Sequence, residues 1–158
     1  MPLLPPEYED FWSIGERAQP KLLRRDRFLE AFAFGDSQRL ADLLAALVLS
    51  GAKRATASSL WNFEHEKKTL PAPGDLSIVT SWDKEPLCVI ETTDVDIVPF
   101  DQVSAEFARI EGEDDGTLES WRANHRAFFN RECNRIGKRF QDDMPVVCEQ
   151  FNVLFQRL

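Results

Sequence analysis

The chain has 158 residues, a length that suits one domain with a hydrophobic core. Its net charge of −8 argues against a general nucleic-acid binder, because phosphate contacts need a basic surface. Its three cysteines are widely spaced and form no paired motif, so neither a disulfide framework nor a zinc site is indicated. No apolar run reaches membrane-spanning length and no signal-peptide pattern opens the chain, so we expect a cytoplasmic protein with buried free thiols and no membrane contact.

The hydrophobic pattern predicts a mixture of helices and strands. Leucines recur at helical spacing from about residue 40 to 49, and this helix is begun by a capping Asp36 or Ser37 and ended by Gly51. The other predicted elements are a helix over 7–18, a strand over 28–34, a short helix after Ser58 or Ser59, strands over 76–82 and 87–98, helices over 101–110 and 117–136, and one or two strands within 146–155.

The stretch from Gly51 to Thr56 places two cations and a hydroxyl directly after a helix end. Lys53 and Arg54 in this position can satisfy the last helix carbonyls and the negative end of the helix dipole. Alternatively, the helix end delivers Lys53, Arg54 and Thr56 to a site. Lys53 and Thr56 are three residues apart, so a shared site requires a turn or bulge between residues 51 and 55.

The strand over 87–98 carries a carboxylate in an otherwise apolar row. Burying Glu91 without a partner would be costly, and Lys53 is a natural partner for it. The alternative is that Glu91 lies where this row emerges from the core into water. Alternation places Glu91 on one face with Leu87, Val89, Thr93, Val95 and Ile97.

Three further features lie in the second half of the chain. The acidic segment 111–116 lacks the ligand spacing of an EF-hand and is interpreted as a solvated loop. In the helix over 117–136, His125 and Glu132 project toward the core as satisfied polar residues. Arg131 lies on a basic stripe, with Arg135 and Lys138, that is either a solvated helix face or a set of phosphate contacts.

In their order along the chain, these features resemble the ASCH domain family. The family motif is a glycine, any residue, a lysine, two further residues and a threonine, and it is met by Gly51, Lys53 and Thr56. A Phe34-Gly35-Asp36 entry precedes the motif, and the strand with Glu91 follows it. The resemblance covers about residues 32–156. It implies an α+β fold with a small PUA-like β-barrel flanked by helices, in which residues 1–31 form an N-terminal helical arm and residues 32–158 the domain.

The resemblance also implies a pocket for a nucleotide base or an RNA element. Members are linked to RNA binding, to RNA cleavage and to deacylation of N-acylated cytidine nucleosides. In the deacylating members the motif lysine and threonine act with a strand glutamate, which carries over to Lys53, Thr56 and Glu91 as catalytic residues. The predicted substrate-binding residues are Arg54, Ser58, Trp61, Trp82 and Arg131, although each tryptophan is also a core candidate.

We therefore expect a hydrolase that acts on RNA or on N-acylated cytidine nucleosides. The alternative is a non-catalytic RNA-binding or regulatory module. No cofactor or metal site is predicted, and a divalent metal requirement is left open. The expected partner is RNA or a nucleoside, and a homo-oligomer formed through the N-terminal arm is a further alternative.

Overall fold

A five-stranded sheet carries the fold in the computed structural model, which describes residues 2–157. The strands are β1 (Phe28–Phe32), β2 (Ala55–Ser59), β3 (Leu76–Thr80), β4 (Pro86–Pro99) and β5 (Pro145–Gln156). The helices are α1 (Glu9–Ala18), α2 (Gln38–Ser50), α3 (Leu60–Glu66), α4 (Ala105–Glu111) and α5 (Leu118–Arg135). The spatial order is β1-β3-β4-β5-β2, in which β1 pairs with β3 in parallel and the other pairs are antiparallel.

The sheet is open, which corrects the predicted closed β-barrel. β1 and β2 are its two edges, and no pairing joins them within residues 2–157. The long ladder between β4 and β5 shifts register between Val89 and Ile90 and again between Thr92 and Asp94. Such bulges bend a ladder and increase its twist without closing it. The α+β fold, with helices flanking the strands, is as predicted.

The N-terminal helix α1 packs onto the sheet. Phe11 and Trp12 are buried in a cluster with Leu76 and Ile78 of β3 and Val89 of β4. The division of the chain at residue 31, and an oligomer formed through the N-terminal segment, stay predictions. Within residues 2–157, none of the helices combines the length and the hydrophobicity that crossing a membrane requires.

The first half of β4 is covered on both faces, which corrects the single inward row predicted from alternation. Val89 packs in the α1 cluster, whereas Cys88 and Ile90 pack in a second cluster with Val48 of α2. Ile97, predicted to face inward, is 45% exposed because the register shifts interrupt the alternation. The predicted free and buried thiols are confirmed at Cys88, Cys133 and Cys148.

Both predicted caps of α2 are confirmed. The Ser37 hydroxyl accepts a hydrogen bond from the Leu40 N–H at 3.2 Å, and Gly51 ends the helix with a φ of 93°. The chain then runs straight into β2, a strand that the small residues from Ala55 to Ser59 did not predict. β2 forms because its backbone pairs with β5 along its whole length.

The end of α4 lies directly against the segment that follows α2. The Arg54 N–H donates to the Ile110 carbonyl at 3.0 Å, and a Cβ on Gly112 would lie 2.0 Å from the Ala52 carbonyl oxygen. Only a residue without a side chain allows this approach. The two segments that meet here carry the charged residues of the site described below.

We expect Gly112→Ala to destabilise the protein by about 2 kcal/mol or more beyond Gly116→Ala, because it adds a clash with backbone to the strain of a positive φ. Gly116 has a similar φ of 77°, but a Cβ there meets nothing within 4 Å, so its substitution carries the left-handed strain of about 1–2 kcal/mol alone. Urea denaturation of both variants checks the difference. Equal losses would contradict the tight contact between α4 and the segment after α2.

Candidate functional site

The Lys53 side chain is completely buried, with 0% exposure, three residues after the end of α2. Its ammonium donates to the Glu113 carboxylate at 2.6 Å, to the Ala55 carbonyl at 2.7 Å and to the Glu111 carboxylate at 3.1 Å. All three ammonium hydrogens therefore have acceptors. The buried cation and its two carboxylates form the charged centre of this structure.

The expected pairing of Lys53 with Glu91 is wrong. Glu91 lies in β4, half-buried, opposite Leu76 of β3 and Asn152 of β5, and no ion pair joins it to Lys53 among the described residues. The docked end of α4 brings Glu111 and Glu113 to the lysine instead. A catalytic role for Glu91 remains a sequence prediction.

Opposing effects set the protonation of the buried network. Burial lowers the pKa of Lys53, but the carboxylates of Glu111 and Glu113 outweigh burial and hold that pKa above its ordinary value. Burial raises the pKa of Glu111, but Lys53 and His125 reverse the effect, so this carboxylate stays ionised. For Glu113, burial and the nearby Glu111 charge outweigh Lys53, so the pKa of Glu113 lies above its ordinary value. The lysine is thus a fixed cation, and Glu113 is the group better suited to exchanging protons.

Glu111, like Lys53, has three partners in the network. Besides Lys53, it accepts from the Trp121 indole N–H and lies 3.3 Å from Nε2 of His125. His125 Nδ1 lies 2.9 Å from the Trp121 carbonyl oxygen, so both ring nitrogens face oxygen acceptors. This geometry favours the imidazolium, and the Glu111 charge outweighs burial to raise the pKa of His125.

Sequence reasoning did not assign Glu111 and Glu113 to the site. The predicted helix ended at residue 110, and the acidic segment after it was interpreted as solvated. Helical spacing carried a signal, because Phe107 and Glu111 are four residues apart and share one buried face of α4. His125, predicted to face the core, is buried as expected.

Glu111, Glu113 and His125 are also the residues that could hold a metal ion. Their ligand atoms lie within 4.8 Å of one another. However, the Lys53 ammonium already lies within ion-pair distance of both carboxylates. A divalent ion would have to displace this buried cation, so the arrangement favours the lysine over a metal.

Two cavities that share part of their lining open beside the charged network, and we refer to them together as the cleft. The first, which we call the leucine chamber, has a volume of about 350 Å³. Its walls combine four leucines of α2 with the acidic end of α4: Leu40, Leu43, Leu44 and Leu47, then Glu111 and Glu113. The second, the polar chamber, has a volume of about 340 Å³, and the residues that distinguish it include Ser58, Asn62, Glu132 and Glu149. Thr56 lines both chambers, together with Phe34, Gly35, Ala57 and Phe128.

Glu149 lies beside Thr56 in the polar chamber. The two residues are direct partners in the antiparallel pairing of β2 with β5, so their side chains project from the same face about 5 Å apart at Cβ. The Thr92 hydroxyl donates to the Glu149 carboxylate at 2.7 Å. Burial, only partly offset by this hydrogen bond, raises the pKa of Glu149 to about 7. Glu149 is not among the site residues predicted from the sequence.

Three of the predicted binding residues have clear places near the motif. Ser58 lines the polar chamber, and Arg131 lines the leucine chamber while its guanidinium contacts Asp36 at 2.8 Å. Arg54 donates to the carbonyls of Val48 and Lys53, both at 2.9 Å, so it caps the end of α2 as the first of the two sequence interpretations had it. The cleft therefore brings together Thr56, Ser58 and Arg131 beside the buried Lys53.

The two predicted tryptophans lie elsewhere. Trp61 of α3 is half-buried against the core cluster around Phe129, with the Lys138 ammonium 5.7 Å above its ring. Trp82 is 44% exposed in the turn after β3 and lines a separate cavity with Tyr8. The structure does not bring either tryptophan to the leucine chamber or the polar chamber.

Comparison with known proteins matches this chain to one family, both by sequence and by fold. A family model of the ASCH domain matches residues 30–155. The crystal structure of an ASCH domain from Lactobacillus crispatus JV V101 is 36% identical with a TM-score of 0.80, over 94% of this chain and 91% of that one. Protein EF3133 from Enterococcus faecalis V583 is 35% identical with a TM-score of 0.80, over 92% and 86% of the two chains.

A more distant likeness concerns the fold alone. The hypothetical protein PH0355 is 13% identical with a TM-score of 0.53, over 80% of this chain and 98% of that one. None of the curated proteins matches the chain.

Replacing Lys53 tests the buried network through stability. Lys53→Met leaves the Glu111 anion buried without its cation, and we expect it to lower the free energy of unfolding by about 3–5 kcal/mol at pH 7. The difference from the wild type should shrink as pH falls toward 4.5, the ordinary pKa of a glutamate. Over this range the variant relieves its buried Glu111 anion by protonation, whereas the wild type keeps the stability that comes from the lowered Glu111 pKa and loses it only below pH 4.5.

Urea denaturation between pH 4.5 and 8 measures this difference. Lys21→Met, which replaces an exposed lysine, is the matched control and should change little. A Lys53→Met variant as stable as Lys21→Met at pH 7 would show that Lys53 does not neutralise a buried charge.

Proposed function

The chain belongs to the ASCH domain family, and on that premise we propose that it is a hydrolase that binds a nucleoside-sized substrate in the cleft and removes an N-acyl group from it. The observation that carries the proposal is the position of Thr56 on the wall of a cavity that it shares with Glu113. A hydroxyl and a carboxylate with a raised pKa, opening onto one space, are the parts that acyl transfer requires.

In the proposed reaction, Thr56 is the nucleophile and Glu113 the acid–base. Glu113 takes the Thr56 hydroxyl proton as the oxygen bonds to the acyl carbon, then gives it to the amine as the C–N bond breaks. Water next attacks the threonyl ester, and its proton returns through Glu113 to the Thr56 oxygen as the carboxylic acid leaves. The sum is one amide and one water converted to one amine and one acid.

Lys53 has a positioning role in this proposal. It is fully buried and its pKa is raised, so it neither reaches the substrate nor serves as a base at neutral pH. Its contact of 2.6 Å holds the Glu113 carboxylate in place and favours its ionised form. Glu111, bonded to Lys53, Trp121 and His125, holds the lysine in turn.

Charge in the cleft favours an uncharged ligand over a phosphate chain. The cations that line the two chambers are already paired with carboxylates: Arg131 with Asp36, Arg135 with Glu132, and Lys68 with Glu30 and Glu66. Glu113 and Glu149 add acidic groups on the inner walls. A nucleoside without phosphates fits this lining better than a polyanion.

Hydrolysis of N4-acetylcytidine tests the proposal. We expect Glu113→Gln and Thr56→Val to lower kcat/KM by about 100-fold or more, the range for loss of a general base or nucleophile, with both proteins still folded by circular dichroism. Glu106→Gln, an exposed glutamate on α4, is the matched control and should retain activity. Glu91→Gln tests which glutamate is the acid–base. If it lowers kcat/KM as much as Glu113→Gln does, Glu91 is the better candidate for that role. A wild-type protein that releases no cytidine would reject the reaction.

Binding of single-stranded RNA is the second candidate, and it is the function that family membership suggests. The observation that favours it is the pair of half-exposed arginines that α5 presents beside the cleft, Arg131 at the leucine chamber and Arg135 at the polar chamber. Their ion pairs are at the surface and are therefore weak enough to be exchanged for phosphate contacts.

The salt dependence of RNA affinity measures these phosphate contacts. If both arginines bind phosphate, the double variant Arg131→Gln/Arg135→Gln should reduce the slope of log K against log salt by about 1.4, since each contact to a single strand contributes about 0.7. Arg17→Gln/Lys21→Gln, which removes two exposed cations near the N-terminus, controls for the same change in net charge. An unchanged slope in the double variant would show that these arginines of α5 do not contact RNA phosphates.

A further inference from the structure

The two chambers of the cleft offer a ligand different surroundings. The leucine chamber is lined by Leu44 and Leu47 of α2 and Phe128 of α5, together with Leu43, which is 55% exposed. Exposed leucines on a helix are ordinary when they are single, but here they continue a buried apolar wall. This chamber is therefore suited to an aliphatic group.

The polar chamber presents hydrogen-bonding groups instead. The Ser58 hydroxyl and the Glu149 carboxyl lie on neighbouring strands of its floor, and Glu149 has no ion pair within residues 2–157. Asn62 Oδ1, from α3, is buried and has no hydrogen-bond partner among the described residues. A ligand that brings donors would satisfy these acceptors, and an unpaired buried acceptor is otherwise costly.

We infer that the cleft orients its substrate across Thr56, with the acyl chain in the leucine chamber and the nucleoside held by Glu149 and Ser58 in the polar chamber. This inference rests on the proposed function, because it assigns the two sides of the bond that Thr56 attacks. It adds a substrate class, namely nucleosides that carry an acyl chain longer than acetyl, and a recognition residue, Glu149.

The length of the leucine wall supports a long acyl chain. The four leucines lie at positions i, i+3, i+4 and i+7, so their stripe extends over two turns of α2, about 10 Å. An acetyl methyl would contact only the part next to Thr56. Each further methylene removed from water should strengthen binding about fourfold, so two buried methylenes already give more than tenfold.

Binding measured in the Thr56→Val background tests the orientation, since the proposal expects turnover there to be lower by about 100-fold or more. Isothermal titration calorimetry is performed with cytidine, N4-acetylcytidine and N4-hexanoylcytidine. We expect the hexanoyl compound to bind at least tenfold more tightly than the acetyl compound. Ala127→Phe, from an exposed position of α5 that lines the leucine chamber, should reduce this preference at least fivefold. Ala123→Phe, one turn earlier and also exposed, is the matched control and should leave the preference for the hexanoyl compound unchanged.

Glu149→Gln, which keeps the size of the side chain, tests the other chamber in the same background. We expect Glu149→Gln to lower the affinity for cytidine and for both acylcytidines by a similar factor of at least fivefold. The preference for the longer acyl chain should stay unchanged. Equal affinity for the acetyl and hexanoyl compounds, or a preference that survives Ala127→Phe, would overturn the acyl assignment. A Glu149→Gln variant with unaltered affinities would overturn the nucleoside assignment.

Parallel hydrolysis assays with the wild-type protein separate this inference from the proposed function. Hydrolysis of N4-acetylcytidine without any chain-length preference would retain the function and reject the orientation. Binding that depends on chain length, without hydrolysis, would support the assignment of the two chambers and reject the hydrolase activity. If the compounds are neither bound nor hydrolysed, both the proposed function and the proposed orientation are rejected.

Discussion

The need to neutralise one buried ammonium organises this structure. Lys53 is cut off from water, and an isolated charge in that position would be lost to deprotonation or would unfold the chain. Glu111 and Glu113 supply the opposite charges, and the indole of Trp121 and the ring of His125 complete the bonding of Glu111. Because every member depends on its neighbours, the end of α2, the end of α4 and the start of α5 are held at one point.

That dependence explains why the motif has its particular residue types. A glycine ends α2 in a left-handed conformation, a lysine two residues later turns inward, and a threonine three residues after the lysine emerges on β2 at the cleft. The lysine anchors the turn, whereas the threonine is the member that a ligand can reach. A short sequence can therefore carry both a structural centre and a cavity-lining hydroxyl, because the change from helix to strand sends the two side chains to different places.

The network also sets different proton affinities for two glutamates that are two residues apart. Glu111 receives three donors and stays ionised, while Glu113 feels the Glu111 charge and is partly open to the cavity. Pairs of acids whose surroundings separate their pKa values are typical of sites that transfer protons. In the polar chamber, burial raises the pKa of Glu149 to about 7 beside Thr56, so this chamber also contains an acid with an altered proton affinity.

The sequence alone determined the helices, most of the strands and both caps of α2, because periodicity and capping are local properties. It assigned the wrong carboxylate to Lys53 and no strand to residues 55–59, since both depend on contacts with distant segments: α4 supplies Glu111 and Glu113, and β5 supplies the partner of β2. It also suggested a closed barrel, whereas two edge strands that do not pair leave the sheet open. Which charges meet in the interior was decided only by tertiary structure, because a buried ion pair is selected by which elements pack together and not by the spacing of its residues along the chain.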